Sequence, residues 1–194
     1  MGALTLIMKV ALVHEFINQF GGAERILLAL NKMYPEAPIQ TLIYRECEAT
    51  KPFKNLKINT SSLEKWFQLL GKKQKFLLPF FPYAVEQFNL SEYDLVISSS
   101  NSFAKGVITP PETTHICYCH SPTRYLWDYK NEYLNEQGLS NIKKILVSQL
   151  LDRLRIWDYQ AAQRVDYFVA NSINVKKRIE KYYRRESEVI YPPV

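Results

Sequence analysis

Lys9–Tyr44, KVALVHEFINQFGGAERILLALNKMYPEAPIQTLIY, decides the fold. Lys9–His14 is a continuous apolar run, the pattern of a strand buried on both faces. A short loop ends in Gly21-Gly22. From Ala23 to Tyr34 the apolar residues Ala23, Ile26, Leu27, Leu30, Met33 and Tyr34 recur three or four apart, which predicts a helix packed by one broad face. Pro35 stops it, and Ile39–Tyr44 reads as a second strand. Strand, glycine turn, helix and strand make a βαβ unit, with parallel strands and a right-handed crossover.

The same rhythm resumes further along. Strands are expected at Asp94–Ser98, Gly106–Thr109, His115–Cys119, Asp166–Ala170 and Glu188–Tyr191. A long helix is expected from Leu139 to Val165, with Ile142, Leu146, Leu150, Leu154, Trp157, Ala161 and Val165 on its apolar stripe. A basic helix follows Asn171-Ser172 and runs to Tyr183. Between the halves, Ser61 and Glu64 have capping-box spacing ahead of an apolar stripe of Leu63, Trp66, Phe67 and Leu70. The fold class is α/β: a Rossmann-like, mostly parallel sheet with helices on both faces.

The 194 residues suffice for one domain with a proper core. The net charge of +6 leans towards anionic partners such as nucleotides, phosphates, nucleic acid or an acidic membrane surface. Three cysteines without framework spacing suit a reducing compartment. Cys117 and Cys119 sit two apart in a strand and so share a face. The run Cys117-Tyr118-Cys119-His120 lacks C-x2-C spacing, and no metal site is assigned to it. No apolar run approaches the roughly 20 residues of a spanning helix. Residues 1–7 lack the features of a secretory signal and read as a tag or an upstream extension, with Met8 as the start.

Ligands of open α/β sheets bind at the carboxyl ends of the strands. Those ends carry His14 and Glu15 before Gly21-Gly22, then Ser98, Ser99, Ser100 and Asn101, then His120, Ser121 and Arg124, then Asn171 and Ser172. Hydrogen-bonding residues therefore collect on one rim. Bare glycines let a ligand approach the backbone, and the start of a helix favours anions. The pair does not form G-x-G-x-x-G, so a dinucleotide cofactor is not supported. Asn171-Ser172 also fits a plain helix cap.

Three segments then read together: His14-Glu15 with Gly21-Gly22-Ala23-Glu24-Arg25; Cys117 to Asp128, CYCHSPTRYLWD; and Val169-Ala170-Asn171-Ser172 running on to Val189-Ile190-Tyr191-Pro192-Pro193-Val194. In order and spacing they resemble the N-terminal half of glycosyltransferase family 4, especially bacterial mannosyltransferases of polysaccharide assembly. The resemblance implies one Rossmann-like half of a GT-B enzyme, spanning 8–191. Residues 192–194 would open the interdomain linker, with the donor-binding domain absent. It implies transfer of a sugar, with retention and without an obligatory metal or other cofactor, from a nucleotide-sugar to a glycan or lipid-linked acceptor. Its branch points to mannose from GDP-mannose. His120 matches the histidine beside the transferred sugar, and Gly21 and Gly22 match the loop near the donor's phosphates. Arg124 and Asn171 match neighbours on the cleft wall. Ser100 and His14 complete the expected substrate-binding set. Most donor-binding residues of the family lie in the second half, so little activity is expected of this chain alone.

Around Gly71 the apolar groups Trp66, Phe76, Phe80 and Phe81 interleave with Lys72, Lys73 and Lys75. That mixture suits an anionic membrane surface. On that reading the protein is cytoplasmic and held peripherally on the inner face of the cell membrane; on the alternative the apolar residues are core and the lysines a solvated rim. Two other readings remain at this level. One is a phosphate- or nucleotide-binding module without catalysis. The other is a basic nucleic-acid-binding domain drawing on Lys176, Lys177, Arg178, Arg184 and Arg185; no nucleic-acid motif supports it.

Overall fold

The computed structural model describes residues 8–71 and 74–193. Residues 1–7, Lys72, Lys73 and Val194, to which the sequence assigned an extension, two membrane contacts and a linker position, lie outside the described residues. Among the described residues the sheet has seven strands, all parallel. They are β1 (Val10–Ile17), β2 (Ile39–Tyr44), β3 (Ile58–Thr60), β4 (Leu95–Ser100), β5 (Thr114–Cys119), β6 (Tyr167–Ala170) and β7 (Glu188–Val189). Their spatial order is β3-β2-β1-β4-β5-β6-β7. The order reverses between β1 and β4, where a doubly wound sheet opens a crevice.

Among the described residues six α-helices cover the sheet: α1 (Gly22–Met33), α2 (Leu63–Leu69), α3 (Phe81–Glu86), α4 (Lys130–Glu136), α5 (Asn141–Gln163) and α6 (Ile173–Tyr183). Alternation along the central strands divides the core. Leu12 and Ile97 face Leu27 of α1, whereas Ala11, Val13 and Val96 face Phe67, Phe81 and Phe103 on the other side. Cys117 and Cys119 do share a face, packed with Ala162 of α5 and Ile179 and Tyr183 of α6.

Several local expectations give way. Gly106–Thr109 is not a strand; a 3-10 turn spans Ala104–Gly106. A side chain at Gly106 would collide with the indole of Trp157, so the glycine serves close packing there. Ser61 and Glu64 do not form a capping box. The Ser61 hydroxyl donates to the Leu42 carbonyl at 2.8 Å, and Glu64 accepts the Tyr44 N–H at 2.8 Å, so both stitch α2 to the end of β2. The stripe of α5 holds towards its C-terminal end, where Leu154 and Ala161 are buried; Val165, also buried, lies past the end of the helix. At its N-terminal end Ile142 and Leu146 are 74% and 61% exposed.

Phe81 is corrected as well. It is 2% exposed and packs edge-on against Phe16, with ring centroids 5.0 Å apart, so it belongs to the core and not to a membrane-facing surface. Trp66, Phe76 and Phe80 are exposed, and Lys75 donates to the Gln137 side chain at 2.7 Å.

Candidate active site at the carboxyl ends of the strands

The rim is built from β1, β4, β5 and β6. His14, inside β1, places Nδ1 2.9 Å from the Ser99 carbonyl of β4. The hydroxyl of the same Ser99 lies 2.8 Å from Nε2 of His120, the first residue past β5. Two histidines on different strands are thus joined through one serine. The His120 carbonyl accepts from the Asn171 side-chain amide at 3.0 Å, and its N–H donates to the Ser100 carbonyl at 2.8 Å. His120 is held on three sides, while its Nδ1 takes no hydrogen bond from another described residue. Burial pushes the His120 pKa down to about 4, against a smaller opposing pull from Glu15. The imidazole is therefore neutral at physiological pH, fit to accept or donate a hydrogen bond but not to act as a cation.

Gly21 and Gly22 sit where β1 hands over to α1. Glu24 reaches back so that Oε2 accepts the Gly21 N–H at 2.8 Å. A side chain at Gly21 would begin 3.2 Å from that carboxylate, whereas one at Gly22 would meet nothing within 4 Å. The space beside Gly22 is open, and the first turn of α1 leaves N–H groups without partners inside the helix. The other Glu24 oxygen lies 3.9 Å from Nε2 of His14. Burial alone would raise the Glu24 pKa; contact with His14 and the backbone donors lower it overall.

Glu15 organises the next loop. Its Oε1 accepts the N–H groups of Asn101, Ser102 and Ala104 at 2.9, 2.7 and 3.0 Å, and the Ser100 hydroxyl at 2.9 Å. Burial opposes the charge, but His14 and these backbone donors outweigh it, and the pKa falls. Ser100 and His14 are 1% and 2% exposed with their polar atoms engaged inside the protein, so they support the rim from behind. Arg124 is exposed, with its guanidinium 5.1 Å from the Tyr129 ring centre, and joins none of these bonds. Ser172 rather than Asn171 caps α6, accepting the Val175 N–H at 3.3 Å.

The sequence reading passed over three supporting groups. Glu24 stood at the third position after Gly21, the spacing of a side chain that folds back on a helix start. Asp158 interrupts the apolar stripe of α5, and Lys105 follows β4. These two meet at 2.5 Å, and Asp158 also accepts from Thr123 and Trp127 at 2.7 Å each and from Tyr183 at 2.9 Å. That knot ties the loop after β4 to the loop that carries His120 and Arg124.

Two surface depressions lie elsewhere. One is lined by Glu46, Cys47, Lys51 and Lys54, the other by Met33, Tyr34, Lys57 and Tyr93 at the amino ends of the strands. Neither includes a residue of the rim. Of the basic residues considered for nucleic acid, Arg178 pairs with Asp128, and Arg185 donates to the carbonyls of Ala162, Gln163, Val165 and Asp166. No helix among the described residues is long and apolar enough to cross a membrane.

Comparison with known proteins adds to this geometry. The chain is similar in structure to the apo form of the lipopolysaccharide outer core galactosyltransferase WaaB, with a TM-score of 0.48 and 17% identity, covering 96% of this chain and 46% of that one. It thus spans less than half the length of that enzyme. A search of curated proteins gives no match. Residues 20–194, nearly the whole chain and all of the rim beyond β1, match Glycosyltransferase Family 4. The chain belongs to glycosyltransferase family 4.

Proposed function

We propose that this chain forms the acceptor-side wall of a retaining GT-B glycosyltransferase cleft, with mannose from GDP-mannose as donor and a glycan or lipid-linked acceptor. The observation that carries the reading is the placement of His120. It is a neutral imidazole fixed by Ser99 and Asn171 at the same carboxyl rim from which the glycine turn leads into α1. Such a group can hydrogen-bond a sugar hydroxyl and stabilise charge developing at the reacting centre. The glycine turn gives a phosphate or sugar access to backbone N–H groups. Arg124 supplies an exposed cation on the same side of the fold. No obligatory metal or cofactor is invoked; the nucleotide-sugar is a substrate.

The stabilisation of a leaving diphosphate needs more donors than this rim holds, and we assign them to a second domain. The 194-residue chain alone is therefore expected to turn over little donor. Exposed Trp66, Phe76 and Phe80 beside Lys75 support peripheral contact with an anionic membrane on the cytoplasmic side.

The test is nucleotide release by the full-length protein against a panel of nucleotide-sugars, with His120→Ala alongside. Turnover of one donor, reduced about 100-fold or more by the substitution, is the expected result. Equal release by parent and variant would remove His120 from the chemistry.

A further inference from the structure

The buried polar groups behind the rim form a series between its two halves, three links at hydrogen-bond distance and one, Glu24 to His14, an electrostatic approach at 3.9 Å. Gly21 N–H donates to Glu24 Oε2 at 2.8 Å, and Glu24 Oε1 faces His14 Nε2 at 3.9 Å. His14 Nδ1 meets the Ser99 carbonyl at 2.9 Å, and the Ser99 hydroxyl meets His120 Nε2 at 2.8 Å. The three interior members, Glu24, His14 and Ser99, are 3%, 2% and 0% exposed, whereas the two ends, Gly21 and His120, are only partly buried.

We infer that Glu24 is a positioning residue, setting the glycine turn directly and the His120 imidazole through His14 and Ser99. The argument is geometric. A carboxylate that far inside the protein is tolerated only with partners, and its partners here are Gly21 and His14. Ser99 is bonded by one histidine through its backbone and by the other through its side chain, so displacement of His14 moves the atom that orients His120. Removing the carboxylate strips the Gly21 N–H of its acceptor and His14 of the anion it faces, which releases the tether on the turn and on the ring. The turn and the imidazole would flank the transferred sugar, and one side chain holds both. Glu24 touches no reacting atom in this role.

The inference rests on the transferase reading, and its test separates the two. Glu24→Ala and Glu24→Gln would be made in the full-length protein. Glutamine keeps an acceptor for Gly21 and fills the same volume beside His14. The alanine variant is expected to lose kcat by about 10- to 100-fold, the range that follows from a small misplacement of catalytic groups. Its donor KM should stay within about threefold of the parent. The glutamine variant should recover most of the rate. The ring-nitrogen NMR signals of His120 should move in the alanine variant and return in the glutamine variant. Parental kcat and unmoved His120 signals in Glu24→Ala would overturn the inference. So would equal loss in both variants accompanied by loss of the cooperative melting transition. If the parent turns over no nucleotide-sugar, the transferase reading fails by itself, and the His120 signals still decide the role of Glu24.

Discussion

Lys105 and Asp158 form an ion pair inside the protein, Nζ to Oδ1 2.5 Å, with each side chain 1% exposed. Asp158 serves three further donors, so the pair cannot be removed as an isolated unit. Lys105→Met should cost about 3–5 kcal/mol, because it strands a buried charge. Asp158→Leu combined with Lys105→Met should not restore stability, since Thr123, Trp127 and Tyr183 would then lack their acceptor. Urea unfolding of the two variants checks both statements.

His115 predicts a pH dependence of stability. It is fully buried in β5 with Nε2 2.8 Å from the Ser98 hydroxyl, and burial lowers its pKa from 6.5 to about 4. The folded protein therefore binds fewer protons than the unfolded chain between those values. The contribution is complete above pH 6.5 and disappears as the pH falls to about 4. It amounts to about 3 kcal/mol for a shift of this size. His115→Gln, which cannot protonate, should make this limb of a plot of urea midpoint against pH shallower, with His120 supplying the slope that remains. A parallel curve would refute the assignment.

Gly22 separates folding from function. A side chain there meets open space at the first position of α1, so Gly22→Ala should leave the melting temperature unchanged or raise it, by up to about 1 kcal/mol in stability. If the turn admits the donor, the same change should lower nucleotide release by about tenfold or more through loss of close approach. Unaltered release would place the donor elsewhere.

The aromatic residues around Gly71 divide by burial. Phe81→Ala should cost about 3–5 kcal/mol through the cavity it leaves beside Phe16 and Phe103. Trp66→Ser, Phe76→Ser and Phe80→Ser should change stability little and, together, weaken sedimentation with anionic vesicles. Unchanged vesicle binding in the triple variant would dismiss membrane contact at this surface.

The pattern of buried strands was legible because a parallel sheet covered on both faces favours apolar runs: Val10–Val13 is one, and Ile39–Tyr44 is apolar except at Gln40 and Thr41. β3 escaped notice because only Ile58 is partly buried, while Asn59 and Thr60 are exposed at the edge and carry no apolar signal. The α5 stripe misled because helical periodicity reports a face, not what covers it: Ile142 and Leu146 lie on the stripe yet beyond the packed core. The rim was legible as a collection of strand ends. Its wiring was not, since His14, Ser99 and His120 are joined by contacts between residues 85 and 21 positions apart, which no local pattern encodes. Phe81 looked like its neighbours Phe76 and Phe80 because composition cannot distinguish two sides of a short turn.

Among the described residues the sheet has its shortest strands at its two margins, three residues in β3 and two in β7. Unpaired backbone N–H and C=O groups at a sheet margin are templates for other chains. With five ladder-forming residues on both margins combined, a passing strand finds almost nothing to zip onto. The long hydrophobic strands that make the core are kept central, so the segments most able to aggregate become accessible only when the domain unfolds.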